Sequence, residues 1–403
     1  FISKTLKGAS VAVLAPGLLT RGYTSPKGTS TIDSIELFRY DINTPRHFSW
    51  GVWHNRQHVF MKMTSGGHVG WAEVAASKNN PELSLEKWSA FLEDFLHLSL
   101  DEAYERVKAS QYGDGKQSPY SKKNMEFMEM ALLDLQGRIA GKPSIELLGM
   151  AGRSPVPGLY CVLDSDLEKV EKAIVSCKAQ HLDDYVKFKL YGDRDRDRSI
   201  IKLGREMLGE DAYILSDANR GYKGWESIDE LADLLNELQA LGLNAIEDPA
   251  ELSNEQWIGL QEKVQPLSLI PDYVTRPAWK GIERITKGMG DIYNFHPESM
   301  GSLHHLVPLA KKVNGFGGKI MIGDASLVGP ACTVWQQIAI GLGAEWVEAL
   351  EKQEDSEDYL SCVISKATYR NDAGRFAYSP KAGFGLELDE GRLRKVCSQN
   401  LTI

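Results

Sequence analysis

Cysteine is scarce in this chain and poorly placed for cross-linking. Five occur in 403 residues, at positions 161, 177, 332, 362 and 397. The number is odd and no two form a C-x-x-C, which argues against a disulfide framework. Long apolar runs are missing too. None reaches about 18 residues, the length at which a helical membrane span is read. Basic charge is not in excess: the formal net charge is -9, with both signs spread along the chain. A basic stripe of the kind that tracks nucleic acid is therefore absent. No low-complexity array occurs. What remains is 42% hydrophobic and 25% charged, the composition of a globular protein. The length allows two domains with large cores.

Residues 1–30 stand apart. "FISKTLKGASVAVLAPGLLTRG" has Lys4 and Lys7, a short apolar core through Leu19, then Arg21. The core has signal-peptide length rather than spanning length. "FISK" resembles the part of a twin-arginine export signal that follows its two arginines, which implies a periplasmic protein. The arginine pair is not in this chain, and the core lacks a clean A-x-A site. The alternatives are an ordered helical arm and a cytoplasmic protein.

From residue 31 to about 150 the pattern reads as an α+β domain. "IDSIELFRYDI" and "HVFMKMTSGGHVGWAEV" alternate apolar positions, with a Gly-Gly turn at 66–67, which is hairpin chemistry. "LEKWSAFLEDFLHL" and "NMEFMEMALLDLQGRIAG" follow with apolar residues three and four apart, the period of helices. After Pro155 short apolar strands alternate with helical stretches. The strands are "GLYCVL", "YVKFKL", "AYILSD", "NAIED", "PLSLIPD", "DIYNFH", "KIMIGD" and "EWVEAL". They recur at roughly 23–31 residues, the spacing of βα units in a closed barrel. That assigns 151–370 to an α/β barrel and leaves 371–403 as a segment returning to the first domain.

In a parallel barrel the chemistry sits where strands end. Asp217 ends the third strand, Glu247 the fourth and Asp272 the fifth. One aspartate after a strand is usually a turn former or a helix cap. Three on successive strands converge on one mouth, where they would repel strongly. A hard divalent cation removes that repulsion, so the three read as one Mg²⁺ site, with Mn²⁺ as a substitute. In "YVKFKL", Lys187 and Lys189 share one strand face, and Val186, Phe188 and Leu190 the other. Helices cover the outer side of a barrel strand, so the lysines point inward.

These residues resemble the enolase superfamily, on its mandelate-racemase and muconate-lactonising side. "VKFK" is similar to its K-x-K motif. "SDAN", "IEDP" and "IPD" resemble its three metal-ligand strands, "VGWAEV" its G-W-G-E turn, and "PKAGFGLEL" its late proline-glycine segment. The resemblance covers nearly the whole chain from about residue 31. It implies an α+β capping domain over a modified TIM barrel, (β/α)7β. It also implies abstraction of the proton α to a carboxylate through a metal-stabilised enediolate. Lys189 is then the base on one face. Lys187 lowers the pKa of Lys189 by like-charge repulsion and touches the carboxylate.

The sixth and seventh strands depart from the family pattern. "NFHPESMG" places His296 where the lactonising subgroup carries lysine and the racemase subgroup aspartate. Asp324 stands where the racemase subgroup places histidine. This predicts a hydrogen-bonded His296–Asp324 dyad, the aspartate favouring a protonated ring opposite Lys189. Asn219 is a candidate for supporting the metal or substrate. The loop "PRHFSWGVWHNRQ" offers Arg46, Trp53 and Arg56, with His47, Trp50 and His54, to an anionic ligand. "QYGDGKQSPY", 111–120, is a candidate lid.

Three functions fit this pattern. The first is an isomerase (racemase, epimerase or cycloisomerase) of a hydroxy-, sugar- or amino-acid-type carboxylate. The second is a sugar-acid dehydratase using the same residues. The third is a non-catalytic carboxylate-binding protein, against which the retention of both lysines and all three carboxylates speaks. The family commonly assembles, so a homo-oligomer is expected.

Overall fold

The alternating apolar pattern of the first third folds as an antiparallel sheet. The computed structural model describes residues 30–111, 120–350 and 370–403. The export-signal candidate up to residue 29, positions 112–119 of the lid candidate, and Cys362 lie outside the described residues. β1 (Ser34–Ile42) leads into a small hairpin, β2 (Arg46–Phe48) and β3 (Gly51–Trp53), then β4 (Arg56–Ser65) and β5 (His68–Lys78). β1 pairs with β4 and β4 with β5, both antiparallel. Gly66 and Gly67 close the β4–β5 turn at φ of 54° and 80°. A two-residue hairpin turn requires such left-handed backbone, and glycine adopts it without strain. The helix Lys122–Ala140 packs on β5, and its Asp134 accepts the Trp71 N–H at 3.0 Å.

After a short strand, β6 (Val156–Pro157), come the eight parallel strands. They are β7 (Tyr160–Val162), β8 (Tyr185–Lys189), β9 (Tyr213–Asp217), β10 (Ala245–Glu247), β11 (Ser268–Ile270), β12 (Ile292–Phe295), β13 (Lys319–Ile322) and β14 (Trp346–Val347). β7 to β11 form one ladder in order, and β12 to β14 another. Backbone bonds close the ring. Asn294 N–H donates to the Pro271 carbonyl at 3.1 Å, and Leu159 N–H to the Val347 carbonyl at 2.8 Å. A helix lies between each successive pair, from Leu167–Ala179 to Pro330–Leu342. The architecture is a barrel of the eight strands the spacing implies, in the (β/α)7β form the resemblance implies.

The two faces of β8 separate as its period of two requires. Val186 and Phe188 are fully buried on the helix side. Gly204 of the helix Arg194–Leu208 makes room there, because a Cβ would stand 2.7 Å from the Phe188 ring. On the inner face Tyr185 meets Trp346 with ring centroids 5.4 Å apart. Tyr213 and Trp346 centroids are 5.3 Å apart. Leu159, Leu215, Ala245, Ile270, Ile292 and Met321 join this layer and plug the N-terminal end. Lys187 and Lys189, further along β8, point into the open end.

β15 (Arg375–Phe376) pairs with β6, and β16 (Gln399–Thr402) adds antiparallel to β1. Three buried glutamates fasten the N-terminal layer to the barrel. Glu73 of β5 accepts the N–H groups of Val328, Gly329 and Ala331 at 2.7, 2.9 and 3.2 Å. Glu126 accepts those of Glu298 and Gly301 at 2.6 and 2.8 Å. Glu129 accepts those of Leu303 and His304 at 2.7 and 3.0 Å. The loops held this way follow β12 and β13, the strands that carry His296 and Asp324. No helix among the described residues is long and apolar enough to cross a membrane.

Candidate active site

A cavity of about 620 Å³ opens at the C-terminal ends of the barrel strands, beneath the β2–β3 hairpin. Lys187, Lys189, Asp217, Asn219, His296 and Asp324 line it, as do Arg46 and Trp53. Glu247 and Asp272 lie just below, each 1% exposed. Arg56 is fully buried at the start of β4 and is not part of the cavity wall. It sits inside the sheet, opposite Ile42 and Lys78 in the ladders, so the expectation that it touches a ligand does not hold. His47 and His54 are exposed, outside the cavity. Trp50 and Phe48 do line it, with their rings stacked at 4.8 Å.

Neighbouring strand ends are joined by ion pairs. Lys189 and Asp217 are register partners on β8 and β9, and the ammonium donates to the carboxylate and to Asn219 Oδ1, the latter at 2.9 Å. Lys187 reaches Glu247 Oε2 at 3.0 Å and Glu348 Oε2 at 2.5 Å. Burial works against the Lys187 charge, but Glu247 and Glu348 outweigh it and hold the pKa well above its ordinary value. Lys187 therefore stays an ammonium. Asp272 pairs with Arg276, whose Nε donates to Oδ1 at 2.7 Å.

The carboxylates suit a hard cation. Asp217 Oδ1 accepts the Asn219 N–H at 2.8 Å, and Glu247 Oε1 accepts from Asn294 Nδ2 at 2.7 Å. In each acid the other oxygen is turned toward positive charge. Asp217 and Glu247 are register partners. Burial and then the Asp217 charge push the Glu247 pKa up, an anion–anion conflict that a divalent ion between them would relieve. Asp248 holds the third strand end by accepting the N–H groups of Asp272 and Tyr273, both at 3.1 Å. No three described His, Cys, Asp or Glu side chains converge at ligating distance as they stand. Lys187, Lys189 and Arg276 occupy the inward oxygens instead.

His296 faces the cavity from the end of β12. Its Nδ1 lies 2.8 Å from the Pro297 carbonyl. Burial, then the Arg276 charge, push its pKa well below the ordinary value, so the ring is neutral. Asp324 lines the same cavity, and its Oδ1 accepts the Leu327 N–H at 3.1 Å. The expected hydrogen bond between His296 and Asp324 is not made among the described residues, and the ring is not held protonated. The backbone explains it: the Pro297 carbonyl takes Nδ1 first.

Sequence reasoning passed over Glu348, Asn294, Arg276 and Lys78. Glu348 carried a usable signal, since it follows β14 as Asp217 ends β9.

The Enolase C-terminal domain-like family model matches residues 170–392, more than half of the chain, and the chain belongs to that family. A chloromuconate cycloisomerase from Cupriavidus pinatubonensis is 28% identical over 235 residues, 56% of this chain and 61% of that protein. The chain thus spans less than two thirds of that relative. An arabinonate dehydratase from Saccharolobus solfataricus is 25% identical over 283 residues, 66% of this chain and 69% of that protein. Among solved structures, L-talarate/galactarate dehydratase from Salmonella typhimurium LT2, liganded with Mg and L-lyxarohydroxamate, superposes with a TM-score of 0.75 at 17% identity. That match covers 96% of this chain and 98% of the other. Its level of identity speaks to the fold alone.

Proposed function

We propose that this chain is a Mg²⁺-dependent enzyme that removes the proton α to a carboxylate, and that the reaction is an isomerisation. The observation that supports this reading is a pair of titratable side chains on opposite strand ends of one cavity. Lys189 stands on β8, and a neutral His296 stands on β12, four strands further round the ring.

Asp217, Glu247 and Asp272 would hold the metal, which supplies charge to polarise a substrate carboxylate and to offset the enediolate. Lys187 remains cationic beside Glu247 and Glu348, adding a second fixed positive charge where negative charge develops. The neutral His296 ring accepts a proton on one face while Lys189 returns one on the other. In the opposite direction the roles exchange. Asn219 Oδ1 fixes the Lys189 Nζ position, and Phe48 and Trp53 exclude water above it.

The dehydratase reading uses the same residues, and the similarity to an arabinonate dehydratase favours it as the second reading. There the neutral His296 ring would first take up a proton and then pass it to the leaving hydroxyl. Incubation with hydroxy-acid and acid-sugar panels in D₂O with Mg²⁺ separates the two. Deuterium at the α-carbon of unchanged or inverted substrate supports the isomerase. A 2-keto product supports the dehydratase. No metal-dependent exchange on any acid overturns both and leaves a carboxylate-binding protein.

A further inference from the structure

The proton-transfer chemistry uses one end of the cavity and leaves a cation without a hydrogen-bond acceptor at the other. Lys78 is the last residue of β5, on the N-terminal layer, and it lines the cavity roof. Its Nζ stands 4.0 Å from the Trp53 ring centroid. The nearest carboxylate oxygen, Glu298 Oε2, is 3.8 Å away, too far for a hydrogen bond. Glu298 is itself engaged, since its Oε1 accepts the Ala75 N–H. Among the described residues nothing accepts a hydrogen bond from the Lys78 ammonium.

Its surroundings are mixed in sign, with Glu298 the strongest single charge on it. Burial first, then Lys123 and Arg56, push the Lys78 pKa down, against the pull of Glu298 and Asp324, to about 8. Lys123 is tied to the carbonyls of Ala75 and Ala76 and is not free to swing away. In all, seven lysines and arginines line the cavity against four carboxylates. Two of those four, Asp217 and Glu348, are bound to Lys189 and Lys187 at the barrel end. The Lys78 side chain is 26% exposed, toward the cavity, and a part-buried ammonium without a protein acceptor carries part of its desolvation cost. Such a group in a ligand cavity is matched by the ligand.

We propose that Lys78 binds a second anionic group on the substrate, remote from the carboxylate whose α-proton is removed. The substrate is then a dianion, such as a dicarboxylate. Its middle lies along Phe48 and Trp53, because Lys189 Nζ lies 5.4 Å from the Phe48 ring and Lys78 lies over Trp53. This inference rests on the reading of the barrel end as the proton-transfer site.

The test is calorimetric binding to the full chain with Mg²⁺. The probes are the straight-chain diacids from succinate to suberate and the monoamide of each. One charge-assisted hydrogen bond predicts that the best diacid binds at least about tenfold tighter than its monoamide. Lys78→Met should remove that preference, and Lys78→Arg should retain most of it. Equal binding of diacid and monoamide by the native chain, or a preference unchanged in Lys78→Met, overturns the inference. So does failure of every diacid to bind. Mg²⁺-dependent binding of the monoamides with no diacid preference overturns Lys78 alone and leaves the proton-transfer reading standing. A Lys78-dependent preference that ignores Mg²⁺ supports Lys78 and counts against the metal site.

Discussion

Arg276 and Asp272 hold one another across one helical turn of chain, with Nε donating to Oδ1 at 2.7 Å and a second nitrogen on the other carboxylate oxygen. Asp272 is 1% exposed. A cation that binds Asp272 competes with this guanidinium for the carboxylate charge. Removing one partner of a buried pair costs about 3 kcal/mol. Arg276→Met should therefore lower the melting temperature without Mg²⁺, yet show a larger Mg²⁺-induced rise than the native chain. Thermal unfolding across a Mg²⁺ titration measures both. Equal rises in the two proteins would remove Asp272 from the ligand set.

Glu126 ties the loop after β12 to the N-terminal layer through the N–H groups of Glu298 and Gly301. Glu126→Ala leaves both donors without an acceptor, at about 1–3 kcal/mol each. Urea unfolding should show a loss of about 3 kcal/mol, summed over the two donors at the lower half of that range. Because His296 begins the same loop, proton exchange on its face should fall more than exchange on the Lys189 face. An unchanged urea midpoint would mean that this carboxylate does not hold the loop.

Lys78 gives a pH dependence with a definite sign. Its ordinary value is 10.5 and burial, the first cause, brings it to about 8 in the folded chain. Between those two pH values the unfolded chain holds the proton and the folded chain does not. Unfolding then takes up a proton, so stability rises with pH through this window. Below it, the charged Lys78 costs stability. Lys78→Met should melt higher than the native chain at neutral pH, with the advantage shrinking toward pH 10.5. Diacid affinity should weaken as pH rises through about 8. Melting curves and calorimetry at a series of pH values check both slopes.

Glu348 offers a further test of the site's electrostatics. It and Glu247 are the two acceptors of Lys187. Glu348→Gln removes one anion, so Lys187 turns fully to Glu247 and competes harder with a metal there. The variant should bind Mg²⁺ more weakly, by about tenfold for each 1.4 kcal/mol lost. Unchanged Mg²⁺ affinity by calorimetry would contradict the coupling.

Much of this arrangement was legible in the chain. All eight barrel strands were readable as short apolar runs, and their ends named Asp217, Glu247 and, two residues past the end of β11, Asp272. The period of two on β8 was enough to turn Lys187 and Lys189 inward, because only the other face carries the bulk that packs on helices. The Gly66-Gly67 turn registered the first hairpin. What escaped depends on contacts distant in sequence. Arg56 looked like part of a basic loop, but the loop ends at Trp53 and Arg56 already belongs to β4. The His296–Asp324 bond was inferred from strand positions alone, whereas the backbone carbonyl of the next residue settles where Nδ1 points. Lys78 reads as an ordinary strand-end lysine until Trp53, Lys123 and Glu298 are brought around it from three other segments.

The central claim is that Lys189 and His296 move protons on opposite faces of one metal-held carboxylate. The direct measurement is α-deuterium incorporation in D₂O, followed by NMR, for both stereoisomers of an accepted acid. It compares the native chain, Lys189→Met and His296→Gln, each with and without Mg²⁺. The prediction is Mg²⁺-dependent exchange of both isomers by the native chain. Each variant should lose interconversion and keep exchange of only one isomer, the opposite one in the two variants. Full interconversion by His296→Gln, or exchange that survives Lys189→Met on both isomers, would contradict it.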